Sequence, residues 1–326
     1  GIVILLFVGG SALIALISGL VASSGGTGGG GGMFKFGDKI AVLDVEGMIG
    51  AGEMYPSDTE RLRKLVAKWK DDESIKGMVI RVNSPGGAVS ATQDLFTEIQ
   101  EFRSTGKPVY TSMGDVAASG GYYIAMASDE IWVNSGTLTG SIGVILSFYG
   151  YEDLFDKIGL ESRSIKSGQF KDIGSGTRPM TEEEKELLNT MVDDVFEQFF
   201  EVVYDNRVEA ARVAISRERA EEQGLKPGSI KPSTITDAEV DEYLRQYCDG
   251  RIFSGRQAIE YGMADKEGTL QETIDAMRTK LGLSADSPVV TTPQPQPGLF
   301  GTFDQKIKQM EQFTPGSVHL EFRFTM

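Results

Sequence analysis

The chain has 326 residues, a formal net charge of −15 and an isoelectric point near 4.7. That length suits one sizeable domain with a buried core or two small ones, and the acidic balance offers no basic stripe to neutralise nucleic-acid phosphates. One cysteine, Cys248, excludes an internal disulfide and a cysteine-based zinc site and reads as a small, partly buried apolar side chain; no residue pattern asks for a metal or cofactor.

Residues 1–22 carry no charge. At ~1.5 Å per residue they span ~33 Å, enough to cross a bilayer core. A cleavable leader has a shorter apolar region, about 7–15 residues, so 1–24 reads as a retained transmembrane anchor. The glycine-rich stretch 25–37 is a flexible linker, and its Gly25–Gly32 run reaches only ~16 Å root-mean-square. A body over 38–283 would therefore ride close to the membrane surface.

Within that body Lys39–Val45, Gly77–Asn83, Pro108–Met113 and Glu130–Asn134 read as buried strands. Asp58–Lys70 and Ala91–Arg103 show helical periodicity, and the alternation predicts an α/β fold with largely parallel strands. Thr181 and Glu184 form a capping box, opening a helix whose apolar positions recur from Leu187 to Phe200 and fade near Asn206. The aromatics on that face are expected in the core or at a subunit interface. Arg217–Glu242 is polar, contains Pro227, Gly228 and Pro232, and reads as a surface excursion. Helices follow at Ser254–Tyr261 and Leu270–Leu281. From Ser284 a Pro-rich, extended tail runs to Met326.

The chemistry centres on Asp115-Val-Ala-Ala-Ser-Gly-Gly-Tyr-Tyr123, where Ser119 stands between small residues and two glycines. A serine hydroxyl needs a base, and histidine usually provides it. The only histidine, His319, lies 200 residues away in the tail. A lysine is the remaining choice, and it acts only when neutral. Lowering a lysine from ~10.4 to ~8 by desolvation costs about 3 kcal/mol, so the base belongs in a sparsely charged setting. Lys166 and Lys171, in Ser164-Ile-Lys-Ser-Gly-Gln-Phe-Lys-Asp-Ile-Gly-Ser-Gly176, meet that condition, and spacing does not choose between them. Ser141 offers a hydroxyl that could orient the amine. Asn83-Ser-Pro-Gly-Gly87, a glycine turn between strand and helix, can present backbone N–H groups to an oxyanion.

Together with Thr139-Gly-Ser-Ile-Gly-Val144, Gly168-Gln-Phe-Lys-Asp-Ile-Gly174, Asp249-Gly-Arg-Ile-Phe-Ser-Gly-Arg-Gln-Ala258 and Gly262-Met-Ala-Asp265, these motifs resemble the signal peptide peptidase A family of membrane proteases, over roughly residues 38–282. The resemblance implies the Clp protease/crotonase-like spiral of strand-strand-helix units. It implies a Ser/Lys dyad with Ser119 as nucleophile, Lys171 as base and Ser141 holding the lysine. Gly86, Gly87 and Gly120 would form the oxyanion hole. It also implies a homo-oligomeric ring in which one protomer's serine meets its neighbour's lysine, with the catalytic body on the extracytoplasmic side of the cell membrane. The Arg217–Glu242 segment and the tail depart from the family pattern.

The reading that follows is a membrane-tethered serine endopeptidase acting on remnant signal peptides or other small apolar peptides. Its alternatives are a Ser/Lys protease of stomatin-like membrane proteins, a crotonase-fold acyl-CoA enzyme and a non-catalytic scaffold. No lysine–arginine cluster suits a nucleotide diphosphate, which weighs against the acyl-CoA reading. The tail, with Phe300, Phe303, Phe313, Phe322 and Phe324, reads as a disordered terminus, as a segment in or near the catalytic groove, or as one docked on a neighbouring protomer away from it.

Overall fold

A computed structural model describes residues 37–52, 54–293 and 321–323. The chain enters through β1 (Lys39–Glu46), β2 (Ile49–Gly50), β3 (Ser57–Asp58) and α1 (Thr59–Asp71). It continues through β4 (Ile75–Ser84), β5 (Gly86–Ala88), α2 (Val89–Ser104), β6 (Val109–Ala118) and α3 (Gly120–Ala125). Next come β7 (Glu130–Val133), β8 (Leu138–Gly140), α4 (Glu152–Ile158) and α5 (Glu182–Glu222). A 3₁₀ turn (Pro232–Thr234) leads to α6 (Asp237–Tyr247), β9 (Ile252–Ser254), α7 (Gly255–Glu260), β10 (Lys266–Glu267), α8 (Leu270–Leu281), β11 (Val289–Thr291) and β12 (Glu321–Arg323).

The main sheet runs β10-β7-β6-β4-β1-β11 with every neighbouring pair parallel, as the strand–helix alternation predicts. Parallel strands are covered on both faces, which is why β1 and β4 carry the apolar runs Ile40–Leu43 and Met78–Ile80 rather than strict alternation. Ala41, Leu43 and Val45 face α1 and α2 through Leu62, Val66, Leu95 and Phe102, while Ile40 and Val42 face Ile274 and Met277 of α8. Near the carboxyl end of β6, β8 adds in parallel and β9 pairs antiparallel with β8. A smaller sheet, β12-β5-β2-β3, lies beside this end.

Three expectations change. The helix that fades near Asn206 by sequence continues to Glu222, giving α5 41 residues and a length of roughly 60 Å. Its second half buries Ile215 with Ala211, Ala214 and Ala220, and the alanines favour helix yet carry little hydrophobic signal. The polar segment 217–242 is therefore no simple excursion: α5 ends within it, and α6 buries Val240 and Leu244 against the core. Beyond Ser284 the chain first adds an edge strand, β11, to β1 through Ile40↔Val289 and Val42↔Thr291. Among the described residues no helix is long and apolar enough to cross a membrane; the anchor expected at 1–24 lies outside them.

The motif at Gly262–Asp265 anchors α5 to the sheet. Arg207, buried on α5, donates to the Gly262 carbonyl at 2.8 Å and to both Asp265 oxygens at 2.8 and 3.1 Å. Asp265 in turn accepts from the Ile131 amide of β7 at 2.8 Å. Removing one partner strands the other charge in a mostly dry setting. Arg207→Met should lower unfolding free energy by about 3 kcal/mol, read from urea denaturation midpoints at unchanged m-value.

Candidate active site

The predicted motifs converge where β4, β6 and β8 end. Ser84 pairs with Ala117, Ala117 with Thr139 and Ala118 with Gly140, so three strands deliver their terminal residues to one place. In open α/β sheets this carboxyl end is where ligands bind.

Ser119 is the residue between β6 and α3. Its backbone sits at φ 55° and ψ −118°, a region that side chains avoid and that costs of order 1–3 kcal/mol. The strain is held by its own backbone bonds: Ser119 N–H donates to Gly140 O at 2.8 Å, and Ser119 O accepts from Tyr123 N–H at 2.9 Å. α3 is itself clamped, because Tyr122 is fully buried and its hydroxyl donates to the Met263 carbonyl at 2.8 Å. Burial pushes that phenol well above its ordinary range. Tyr123 stacks edge-on with Phe96 and contacts Phe199 of α5.

The Ser119 side chain is fully buried, yet its Oγ has no hydrogen-bond partner among the described residues. Buried hydroxyls are rarely left so. Next to it, Ser141 also has positive φ, 50°, and follows the Gly140 carbonyl that holds Ser119. Its amide donates to Arg251 O at 2.7 Å.

The glycine turn closes the other side. Gly86 adopts φ 106°, and its N–H donates to Ser84 Oγ at 3.1 Å, so Gly86 contributes shape while its donor is engaged. At Gly87 a Cβ would fall 2.0 Å from the Ile49 carbonyl, so only glycine lets β5 approach β2. A Cβ on Gly120 would sit 3.3 Å from both Gly86 Cα and Gly87 N. These three glycines thus lie together beside the serine. The C-terminal strand β12 pairs antiparallel with β5, Phe322 opposite Gly87 and Arg323 opposite Gly86, and also lies against α3.

A cleft of about 380 Å³ opens from Ser141, walled by Ile142, Val144, Ile145, Val192 and Phe196 with Asp193 and Asp249 at its polar side. Cys248 lines it, and burial pushes its thiol up to about 12, so it stays a neutral apolar group as expected. Among the described residues no cluster of His, Cys, Asp and Glu is grouped to hold a metal ion.

The two lysines separate. Lys166 Nζ is committed to Asp172 Oδ1 at 2.6 Å and to Gln169 O at 2.9 Å. Lys171 is exposed, and its side chain makes no hydrogen bond or ion pair among the described residues. One chain therefore brings together Ser119, Ser141, Gly86, Gly87 and Gly120, and does not bond Lys171 to any of them. Sequence reasoning missed the positive φ at Ser141 and the Tyr122–Met263 clamp; the second had a signal in the Gly262-Met-Ala-Asp265 motif.

Comparisons with known proteins point one way. The profile of Peptidase family S49 matches residues 101–225. A Synechocystis sp. protein whose name designates it a protease is 34% identical over 248 residues, 76% of either chain. An Enterococcus faecium protein named as a signal peptide peptidase, SppA, is 29% identical over 76% of this chain and 64% of its own length. Protease 4 of Haemophilus influenzae is 28% identical over 254 residues, 77% of this chain and 36% of that one.

The strain at Ser119 makes a separable prediction. Ser119→Gly removes both the hydroxyl and the Cβ that opposes φ 55°, so it should abolish peptide hydrolysis while raising unfolding free energy by about 1 kcal/mol. Ser119→Ala should be equally inactive without that gain. Paired thermal melts and turnover assays read both effects, and a glycine variant less stable than the alanine one would refute a strained nucleophile.

Proposed function

Because the chain belongs to peptidase family S49 and is a serine peptidase, we propose that it is a membrane-tethered endopeptidase of remnant signal peptides or similar small apolar peptides. Ser119 is the nucleophile and Lys171 the general base. The observation that carries this reading is a strained, fully buried serine whose hydroxyl has no partner among the described residues, beside a glycine cluster.

In this mechanism the neutral Lys171 amine takes the Ser119 proton as Oγ attacks the scissile carbonyl carbon. The tetrahedral oxyanion is held by backbone N–H groups of Gly87 and Gly120. The lysine then returns its proton to the leaving amine, and water, deprotonated by the same lysine, releases the acyl group. Ser141 orients the amine. The fold is read as the Clp protease/crotonase-like spiral, with 1–24 as anchor, 25–37 as linker and the catalytic body on the extracytoplasmic face of the cell membrane.

The base is supplied by a neighbouring copy in a homo-oligomeric ring. What supports this is that Ser119 Oγ has no partner among the described residues while Lys171 is exposed, in a region rich in uncovered apolar groups: Tyr149, Ile158, Leu160, Ile165, Phe170 and Leu187. Soluble surfaces seldom leave such a patch without a partner.

Substrate binding follows from the edge of β5. An extended peptide pairs its backbone with an open strand and sends alternate side chains into pockets. The segment Glu321–Arg323 already makes that pairing from within the chain. The apolar cleft at Ser141 suits Leu, Val or Ala side chains, and its Asp193 and Asp249 disfavour acidic ones.

Two experiments test this reading. Lys171→Ala should fall to the level of Ser119→Ala, whereas Lys166→Ala should keep substantial turnover; in the wild type the rate should climb from neutral to alkaline pH and be indifferent to His319→Ala. An optimum on the acid side would remove lysine as the base. Removing residues 301–326 deletes β12 and spares β11, and should raise initial rates on short peptides roughly two- to tenfold if the tail competes with substrate. An unchanged rate would show that β12 leaves the substrate path open.

A further inference from the structure

We propose that Arg178 is a positioning residue for the reaction: it moors the lysine-bearing loop 164–176 to the start of α5 and so fixes where Lys171 presents its amine. The inference rests on the reading of Lys171 as the base.

The loop has no helix or strand of its own. Its backbone closes a chain of turns, Lys171 N–H to Gly168 O, Ile173 N–H to Phe170 O and Ser175 N–H to Asp172 O at 3.0–3.2 Å. Such turns shape a loop and do not attach it. At its far end Gly176, which is buried, accepts from Tyr151 N–H at 2.7 Å; beside Lys171 the attachment is Asp172. Its carboxylate accepts from Arg178 Nε at 3.1 Å and Nη2 at 2.8 Å, and from Lys166 Nζ at 2.6 Å. The other side of the same guanidinium reaches Glu184, Nη1 to Oε2 at 2.9 Å and Nη2 to Oε1 at 2.5 Å.

Glu184 is a fixed post. Its side chain is 2% exposed, and it also accepts the Thr181 amide in the capping box that starts α5. Gln169 adds a second tether, donating to Glu183 at 2.5 Å. Arginine suits this place because its planar fork can meet two carboxylates at once, which a single ammonium cannot. Between Asp172 and Glu184 it ties the exposed stretch around Lys171 to a rigid helix.

The protonation chemistry leaves the mooring intact where the enzyme works. The hydrogen bonds from Arg178, then Lys166, hold Asp172 well below the usual carboxylate range, and Arg178 with the Thr181 amide holds Glu184 down to about 2. Carboxylates with lowered folded values stabilise above their unfolded values near 4 and lose that contribution only as pH falls through the folded ones. The mooring is therefore constant from pH 5 upward. Any rise in rate over that range belongs to the amine.

The test compares full-length wild type with Arg178→Ala, Arg178→Lys, Asp172→Asn and Lys171→Ala, using peptide turnover from pH 6 to 10 and amide hydrogen exchange. Arg178→Ala should lose about 10–100-fold in kcat with KM within about twofold, as expected when a catalytic group is misplaced by around an ångström. Exchange over residues 164–177 should quicken while β1, β4 and β6 stay protected. Arg178→Lys should recover part of the loss, and Asp172→Asn should loosen the same loop. Wild-type kcat in Arg178→Ala, a change in KM alone, or loss of protection across the sheet would each overturn the proposal. If Lys171→Ala retains turnover, the base assignment falls by itself, and the exchange data still decide whether Arg178 moors the loop.

Discussion

The hydrogen bond from Ser119 N–H to Gly140 O, at 2.8 Å, is the joint on which the site depends. It ties the end of β6 to the end of β8 after Ala118 and Gly140 have paired in register. Past that pair both chains turn into positive φ, one at Ser119 and one at Ser141, so the two hydroxyl-bearing residues leave the sheet side by side. A backbone conformation costing up to about 3 kcal/mol persists only where its surroundings over-determine it. Here the surroundings are α3, clamped through Tyr122 and Tyr123, and a glycine turn that no larger residue could occupy.

The same packing buries the Ser119 side chain completely. Its hydroxyl is sealed from water and has no partner among the described residues, while the proposed base stands exposed in a loop bordered by uncovered apolar side chains. In the proposed mechanism, that separation of Ser119 from Lys171 is closed by a neighbouring copy. Strand β12 on the edge of β5 adds a second layer, since the backbone groups an extended peptide would use are already paired from within the chain.

Helix α5 connects these features. Its first turn carries the capping box and Glu184, the post for Arg178; its middle packs Phe199 against Tyr123 behind Ser119; its later part is bolted to the sheet through Arg207 and Asp265. One rigid rod thus touches the supports of both the serine and the lysine loop.

Much of this was legible in the sequence, because it follows from local chemistry. Alternating apolar strands and amphipathic helices, the Thr181 capping box, the glycines at 86, 87 and 120 and the lone serine at 119 each carry their own physical signature within a few residues. The absence of a histidine from the body pointed to lysine by charge chemistry alone. Tertiary structure decided the rest. Positive φ at Ser119 and Ser141 arises from strand register between segments some twenty residues apart, and neither serine announces it. The continuation of α5 past Asn206 rests on alanines that bury little area each and become core only when α6 folds over them. Lys166 and Lys171 look alike as sequence; Asp172 distinguishes them by pairing with one, through geometry set by Arg178 and Glu184. Placement of β11 beside β1 and of β12 beside β5 joins residues more than 230 apart, a choice made by open sheet edges, which no local pattern in the chain encodes.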